Sequence, residues 1–404
     1  MNRDRLQKRL ESIGRLRSAI ETGGDAAQSL RRLPDDLVGV LVDAGFFRFT
    51  LPEALGGEDA SARDTIEILE ALAAIDASVA WNVMLGSEIN AMAAGGMDPA
   101  LARKIYVDDP GVIMCGGGGP GSTAPRAERQ RDGSVRVWGR TTFISGCHNA
   151  RWCFMGAPLM QGDAIERDAN GMPIFKLWFL HRSEWQIVDT WDVAGLRGSG
   201  SHDVQTEGGR VAPEYVGVDL MSLPAHYENP VFRMPVPLRL AYNKAAVAIG
   251  VAKGALEAFA DIAQSKLPML STSTLRHRPI AQYRMGECVA QYRAVRAYLM
   301  SAMADVEDEL ARGAAMPSPA TTQNARLACV HATNVSMQVV DALHNTAGTS
   351  GMRMNSPLER KLRDAHGCAT HRWVAHPLYQ DLGAIHLGFE ASPEFLGTGQ
   401  PMPR

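Results

Sequence analysis

The six cysteines, Cys115, Cys147, Cys153, Cys288, Cys329 and Cys368, nowhere form a Cys-x-x-Cys pair. Their scatter excludes the common zinc and dithiol motifs, argues against a disulfide framework, and predicts reduced thiols in a cytoplasmic setting. No long uninterrupted apolar run is present, so no transmembrane helix is expected. No apolar signal core follows the charged, amphipathic start Met-Asn-Arg-Asp-Arg-Leu-Gln-Lys-Arg. Neither sign of charge dominates: 41 basic residues face 44 acidic ones, for a net charge of −3. That balance gives no reason to expect nucleic acid or an anionic membrane surface as a partner. Nucleotide-binding loops are missing too. The Gly-rich run Cys115-Gly-Gly-Gly-Gly-Pro-Gly-Ser-Thr123 lacks the Gly-Lys-Ser/Thr of a Walker loop, and no βαβ unit follows it. It reads as a mobile loop, either plain surface or a ligand cover.

The 404 residues suffice for two or three domains, or for one large layered unit. Three regions are expected. Residues 1–110 read as helical, with a Pro-Asp-Asp helix start after Leu33, an extended piece at Phe46–Pro52, a helix at 62–77 and another opening at Ser78. Composition shifts at Asp108-Asp109-Pro110, and residues 111–225 carry strand-like runs at 134–143, 151–160, 174–181 and 185–193. Their spacing suggests an antiparallel barrel or sandwich, in which Trp138 is core packing. Residues 226–404 return to helical periodicity before a tail. Met285, Val289, Tyr292, Val295, Leu299, Met303, Val306 and Leu310 recur at heptad-like intervals. With the segments 244–266, 325–347 and one from 358, they predict a four-helix bundle.

The chain's chemistry centres on Gly139-Arg-Thr-Thr-Phe143-Ile-Ser145-Gly146-Cys-His-Asn-Ala-Arg-Trp152. A small hydroxyl beside a glycine lets a flat ligand lie close to the backbone, and flanking aromatics exclude water. The stretch reads as a flavin seat, with an ordinary hairpin turn as the alternative. His366, His371 and His376 are spaced by fives, so on a helix they diverge and do not make a metal site.

Three segments in order carry a resemblance: Gly139-Arg140…Phe143-x-Ser145-Gly146…Trp152, Thr190-Trp191…Gly195-Leu-Arg-Gly-Ser-Gly-Ser201, and Arg360-x-x-Arg363-Asp364. Together they resemble the acyl-CoA dehydrogenase superfamily over nearly the whole chain. They look most like its oxygenase components of two-component flavin-dependent monooxygenases, which act on phenols, indoles and dibenzothiophene. Many of the dehydrogenases carry a catalytic Glu shortly after the Arg-Asp pair; here His371 and Arg372 fall in that region.

The resemblance implies an α+β, acyl-CoA dehydrogenase-like fold with an N-terminal helical domain, a central antiparallel β-barrel and a C-terminal four-helix bundle, assembled as a homotetramer. It implies reduced FMN or FAD as cofactor, O2 as co-substrate, a flavin C4a-hydroperoxide and an aromatic or heteroaromatic substrate. It puts the Ser145 hydroxyl at flavin N5, with Phe143, Gly146, Trp152 and Trp191 around the ring. His371 is the first candidate base and His376 the second; histidine suits the role through its near-neutral pKa. Arg276 or Arg278 would meet the flavin phosphate, often from a neighbouring subunit. Ser199, Ser201 and Arg363 are weaker cofactor candidates. No Rossmann fingerprint is present, so the resemblance implies a separate, transient NAD(P)H:flavin reductase. The alternatives are an acyl-CoA dehydrogenase with a relocated base and a non-catalytic relative of the fold.

Overall fold

Local chemistry sets the helix starts. Ser61 forms a reciprocal capping box with Asp64 and opens α3 (Ala62–Ile75). Asp76 closes that helix, and its carboxylate accepts from the Val79 N–H to open α4 (Ala77–Gly96). Pro99 begins α5 (Pro99–Tyr106), whose first N–H groups are held by the Asp98 side chain. Before these come α1 (Arg3–Leu30) and α2 (Asp35–Asp43). The computed structural model describes residues 1, 3–117, 123–215, 217–218 and 226–390. Most of the Gly-rich run, 118–122, and the expected end of the β region near Pro224 lie outside the described residues.

The extended piece expected at Phe46–Pro52 is instead a series of tight turns. Phe46, Phe47, Phe49 and Leu51 are all buried, which alternating strand geometry against one core would not allow. The Arg48 guanidinium fixes the turns by donating to the carbonyls of Leu55, Gly56 and Tyr106.

The strands are β1 (Met114–Gly117), β2 (Arg126–Arg129), β3 (Val135–Ile144), β4 (Trp152–Gln161), β5 (Ala164–Ile165), β6 (Phe175–His181), β7 (Gln186–Val188) and β8 (His202–Val211). The hydrogen-bonded order is β1-β4-β2-β3-β8-β7, with β5 and β6 also on β4. This sheet is mixed, which corrects the antiparallel expectation. β4 runs parallel to both β1 and β2, because the β2–β3 hairpin reverses the chain before β4 enters between them. Inward side chains such as Val137, Ile144, Met155, Leu180 and Val204 fill its core. Trp138 is only half-buried: Arg126 stacks over its ring and Gly208 lies beneath it, so it packs at the sheet margin rather than in the core. The β3–β8 register shifts between Thr141 and Ile144, just before Ser145. That irregularity releases the chain from the ladder where the site begins.

The C-terminal region holds α6 (Val236–Ser265), α7 (Pro279–Ala311), α8 (Pro319–Ala347), α9 (Pro357–Ala369) and α10 (Leu378–His386). Three of these run 30, 33 and 29 residues, but α9 has only 13. α6 packs against α8 and α9 on one side and against α3 of the N-terminal region on the other. α6, α7, α8 and α9 pack on one another as the expected four-helix bundle would, but the fourth is short and α6 also packs on α3. Small residues along α6 and α3 allow the two regions to share one continuous core. Within it Lys361 of α9 donates to the carbonyls of Ala73, Ala74 and Ile75, satisfying the C-terminal end of α3.

Two glycines give opposite tests of this packing. A Cβ on Gly195 would lie 2.0 Å from the Arg363 carbonyl oxygen, whereas one on Gly14, exposed in α1, would meet nothing within 4 Å. Gly195→Ala should cost about 1–3 kcal/mol through overpacking. Gly14→Ala should add about 0.5–1 kcal/mol of helix stability. Urea denaturation of the two variants checks both signs.

Candidate active site

Ser145 follows β3 at a turn the backbone enters under strain. Phe143 has φ +61, unusual for a non-glycine residue, and its ring is 70% exposed. Gly146 follows at φ +70, and its N–H donates to the Ser199 carbonyl at 3.0 Å. A side chain there would press on the Asn82 amide oxygen, 3.0 Å from a built Cβ. The strain thus presents one aromatic ring outward while turning the next hydroxyl inward. Trp191 meets the outward ring edge to face at 6.1 Å.

The inward hydroxyl starts a buried polar ladder. Ser145 Oγ lies 2.6 Å from Ser201 Oγ, which lies 2.7 Å from Ser199 Oγ. Trp81 Nε1 donates to Ser145 Oγ at 3.2 Å. An indole N–H can only donate, so Ser145 accepts there. If Ser201 also donates to it, the Ser145 O–H is left for a ligand. Trp81, on α4, also meets the ring of His371 edge-on at 5.7 Å. Residues from the helical start, the β region and the stretch after α9 therefore converge on one point. Behind them a cavity of about 10 Å³ lies between Asn82, Gly86, Ile113, Ser145 and Asn149, close to the room one water needs.

His371 sits in the turn after α9. Its Nδ1 accepts a long hydrogen bond of 3.4 Å from the Trp373 N–H, which leaves Nε2 to carry the proton. Packing around the ring, then the Lys244 and Arg372 charges, push its pKa down to about 3. It is a neutral imidazole over the physiological range, which revises the near-neutral titration expected of it. Lys244 is itself buried and donates to both Glu88 oxygens at 2.7 Å. Asn243 Nδ2 donates to the same carboxylate at 2.7 Å.

The Gly195–Ser201 turn that carries Ser199 and Ser201 is held from three sides. Asp364 Oδ1 accepts from the Leu196 N–H at 2.6 Å, Asn82 donates to the Gly198 carbonyl at 3.1 Å, and Arg363 donates to the Ala194 carbonyl at 2.5 Å. Arg363 is paired with Glu359 at 2.7 Å. It therefore braces the turn and does not join the Ser145 cluster.

Of the remaining expected site residues, Trp152 packs against Tyr215 and His181 on the β-region wall. His376 is exposed and rests on Tyr379 of α10, apart from the ladder. Arg276 and Arg278 are exposed on the α6–α7 connection. Sequence reasoning overlooked Trp81, Asn82, Glu88, Asn243 and Lys244. Glu88 is the one charged residue in α4, where every residue except Gly96 is buried, and a lone charge in such a run demands a buried partner. That was the available signal.

A flat cofactor with a polar edge is matched by this arrangement. The exposed Phe143 ring, edge to face with the half-buried Trp191, offers an aromatic surface, and the hydroxyl ladder ends two residues along the chain at Ser145. Ser145, Ser199, Ser201 and Gly146 are the residues that would hold it.

Family models for the acyl-CoA dehydrogenase N-terminal domain and C-terminal domain match residues 19–98 and 242–376. An indole-3-acetate monooxygenase from Acinetobacter baumannii is 27% identical over 361 residues, covering 89% of each chain. The oxygenase subunit HsaA of a flavin-dependent monooxygenase from Mycobacterium tuberculosis is 28% identical over 375 residues, covering 90% of this chain and 91% of that one. The crystal structure of the M. tuberculosis HsaA monooxygenase superposes with a TM-score of 0.83 at 25% identity, covering 96% of this chain and 99% of that one.

The buried clamp has a pH signature. Burial and then the neighbouring Asp76 raise the Asp364 pKa from 3.8 to about 6. A carboxyl raised on folding contributes stability that is complete below its unfolded pKa and is lost as pH climbs through the folded one. Asp364→Asn keeps an oxygen for the Leu196 N–H and cannot ionise. Its stability relative to the unmodified protein should therefore rise between about pH 4 and pH 7, by on the order of 3 kcal/mol. A difference that stays flat across denaturation curves in that window would remove this reading.

Proposed function

The chain belongs to the acyl-CoA dehydrogenase family, on the branch of flavin-dependent monooxygenase oxygenase components, and from that premise we propose how its residues divide the work. It hydroxylates an aromatic or heteroaromatic compound with reduced flavin and O2, the flavin being supplied by a separate reductase. The indole acid named for the Acinetobacter relative is the first compound to try. The observation that carries the residue roles is the convergence of Ser145, Trp81 and His371, with the exposed Phe143 ring against the half-buried Trp191 two residues before Ser145.

A bound reduced flavin supplies the electrons that activate O2. Ser145 holds the flavin edge with its hydroxyl, kept in place by the Trp81 N–H and the Ser201 hydroxyl. Trp81 and the apolar face of α4 keep water from that edge. His371, neutral and carrying its proton on Nε2, fixes the orientation of the substrate by a hydrogen bond rather than storing a proton. Relocating an acyl-CoA dehydrogenase base to α4 finds little support, because Glu88 is already committed to Lys244 and Asn243. Arg276 and Arg278 serve the flavin phosphate of a second copy in a homotetramer. Their exposure beside the equally exposed Leu267, Met269 and Leu270 supports that assembly.

Rapid mixing of the protein with reduced FMN or FAD, then with O2, tests the reading. Flavin bound by the protein should reoxidise more slowly than free flavin. An oxidised flavin that is bleached by an acyl-CoA would overturn it in favour of a dehydrogenase. Ser145→Ala should speed the release of hydrogen peroxide by about tenfold, as loss of one hydrogen bond of about 1.4 kcal/mol implies. His371→Ala should lower hydroxylated product far more than it lowers reduced-flavin affinity. The His371 contribution should show no titration between about pH 5 and pH 9, in keeping with a pKa pushed down to about 3.

A further inference from the structure

His202 joins two segments that bound the flavin seat. It opens β8, is only 4% exposed, and pairs across the sheet with Ile144, the residue before Ser145. On its other side β7 pairs with β8 only as far as Val188, and the chain then leaves the ladder. The His202 side chain takes over from the strand. Its Nδ1 accepts from the Thr190 N–H and from the Trp191 N–H, both at 3.2 Å. A ring nitrogen that accepts two N–H groups carries no proton, so the ring is neutral with its proton on Nε2. The ring also shares a hydrogen bond with the Arg31 backbone.

The neighbouring contacts complete the grip. The Trp191 indole N–H donates to the Leu196 carbonyl at 3.1 Å, and the Thr190 hydroxyl accepts from the Asp203 N–H at 3.0 Å. Neither of these orients the Trp191 N–H, which rests on His202. Asp189 Oδ1 lies 3.4 Å from the same Nδ1, although Arg31 already holds that carboxylate at 2.7 Å. A proton on Nδ1 would turn the acceptor into a donor aimed at Asp189 and strand both N–H groups. Burial opposes that proton and keeps the ring's pKa below the ordinary histidine value; the Arg31 charge adds to this, while Asp189, Asp203 and the Arg31 backbone work against it. The other titratable groups at the ring are His148, which meets it edge-on at 5.0 Å, and the Cys147 thiol, kept neutral by burial.

We propose that His202 is a positioning residue for the flavin seat: its neutral ring holds the Thr190–Trp191 backbone and so keeps the Trp191 ring against Phe143, and protonation of the ring releases that wall. This deepens the monooxygenase reading and rests on it. The grip is complete above the ordinary histidine value of about 6.5 and is lost as pH falls through the lower value of the folded ring. Asp364, which holds the Leu196 N–H, acts with the opposite sign, since its contribution is lost as pH climbs.

Two variants of the full chain test this. His202→Asn keeps an acceptor oxygen near the place of Nδ1 and takes up no proton, whereas His202→Leu removes the acceptor. Amide hydrogen exchange at Thr190 and Trp191, read without flavin at about pH 7.5, should be at least about tenfold faster in His202→Leu than in the other two proteins. Anaerobic titration with reduced FMN, and FAD in parallel, at about pH 7.5 should find the unmodified protein and His202→Asn within about twofold, and His202→Leu about tenfold weaker. At about pH 5 the unmodified protein should bind about fivefold more weakly than His202→Asn, a ratio in which titration of the flavin itself cancels. Unchanged exchange in His202→Leu overturns the proposal, as does a ratio that stays within about twofold at the acid pH. If His202→Leu does not fold, the unmodified protein and His202→Asn decide the matter by the same ratio. Failure of the unmodified protein to bind either reduced flavin sinks the monooxygenase reading, whereas flavin bound equally by all three proteins at both pH values sinks only this one.

Discussion

The hydrogen bond from the Leu196 N–H to Asp364, 2.6 Å long and wholly inside the protein, is the constraint on which the site depends. It ties α9 to a turn of the β region 168 residues earlier in the chain. That turn carries Ser199 and Ser201, whose hydroxyls set the position of Ser145. Close approach is possible only because Gly195 and Gly198 lack side chains against Arg363, Ala27 and Ser78. The hydroxyl ladder is therefore only as ordered as a contact made by residues far from it in sequence. The carboxyl is held in low dielectric near a second acid, Asp76, which explains why it resists ionisation.

Electrostatics then separates two sides of the site. Around Ser145 the groups are neutral: three hydroxyls, an indole N–H and an imidazole that burial keeps unprotonated. A neutral, enclosed hydroxyl donor avoids the competing waters and mobile charges that would weaken a hydrogen bond to a cofactor edge. Along α6 the groups are charged, with Lys244 and Arg239 beside Glu88.

The strained turn at Phe143 shows how the two sides are joined to the outside. A non-glycine residue at positive φ costs energy that a plain hairpin would not spend. Here the cost puts an aromatic ring on the surface against Trp191 while Ser145, two residues on, is only 6% exposed. The β3–β8 register shift supplies the freedom for that reversal, and the Asn82 contacts at Gly146 and Gly198 fix its outcome.

The sequence alone determined the order of the regions and the helix starts marked by Pro and Ser or Asp caps, and it singled out Ser145 and His371 as candidates, because caps, periodicity and short motifs are local properties. It pointed to three separate motifs without showing that Asp364 grips the second while Trp81 bridges the first to His371. Parallel pairing of β4 with β1 and β2 was not legible, since strand periodicity is the same in either direction. The burial of α6 between α3 and α8 was hidden for a similar reason: a helix apolar on several faces does not name its neighbours. The pKa of His371, the pairing of Glu88 with Lys244 and the distance of His376 from the Ser145 cluster were decided only by the tertiary structure. A side chain's charge state and partners depend on which atoms surround it in space, and those atoms come from α4, the β region and α6, with partners 64 to 156 residues apart along the chain.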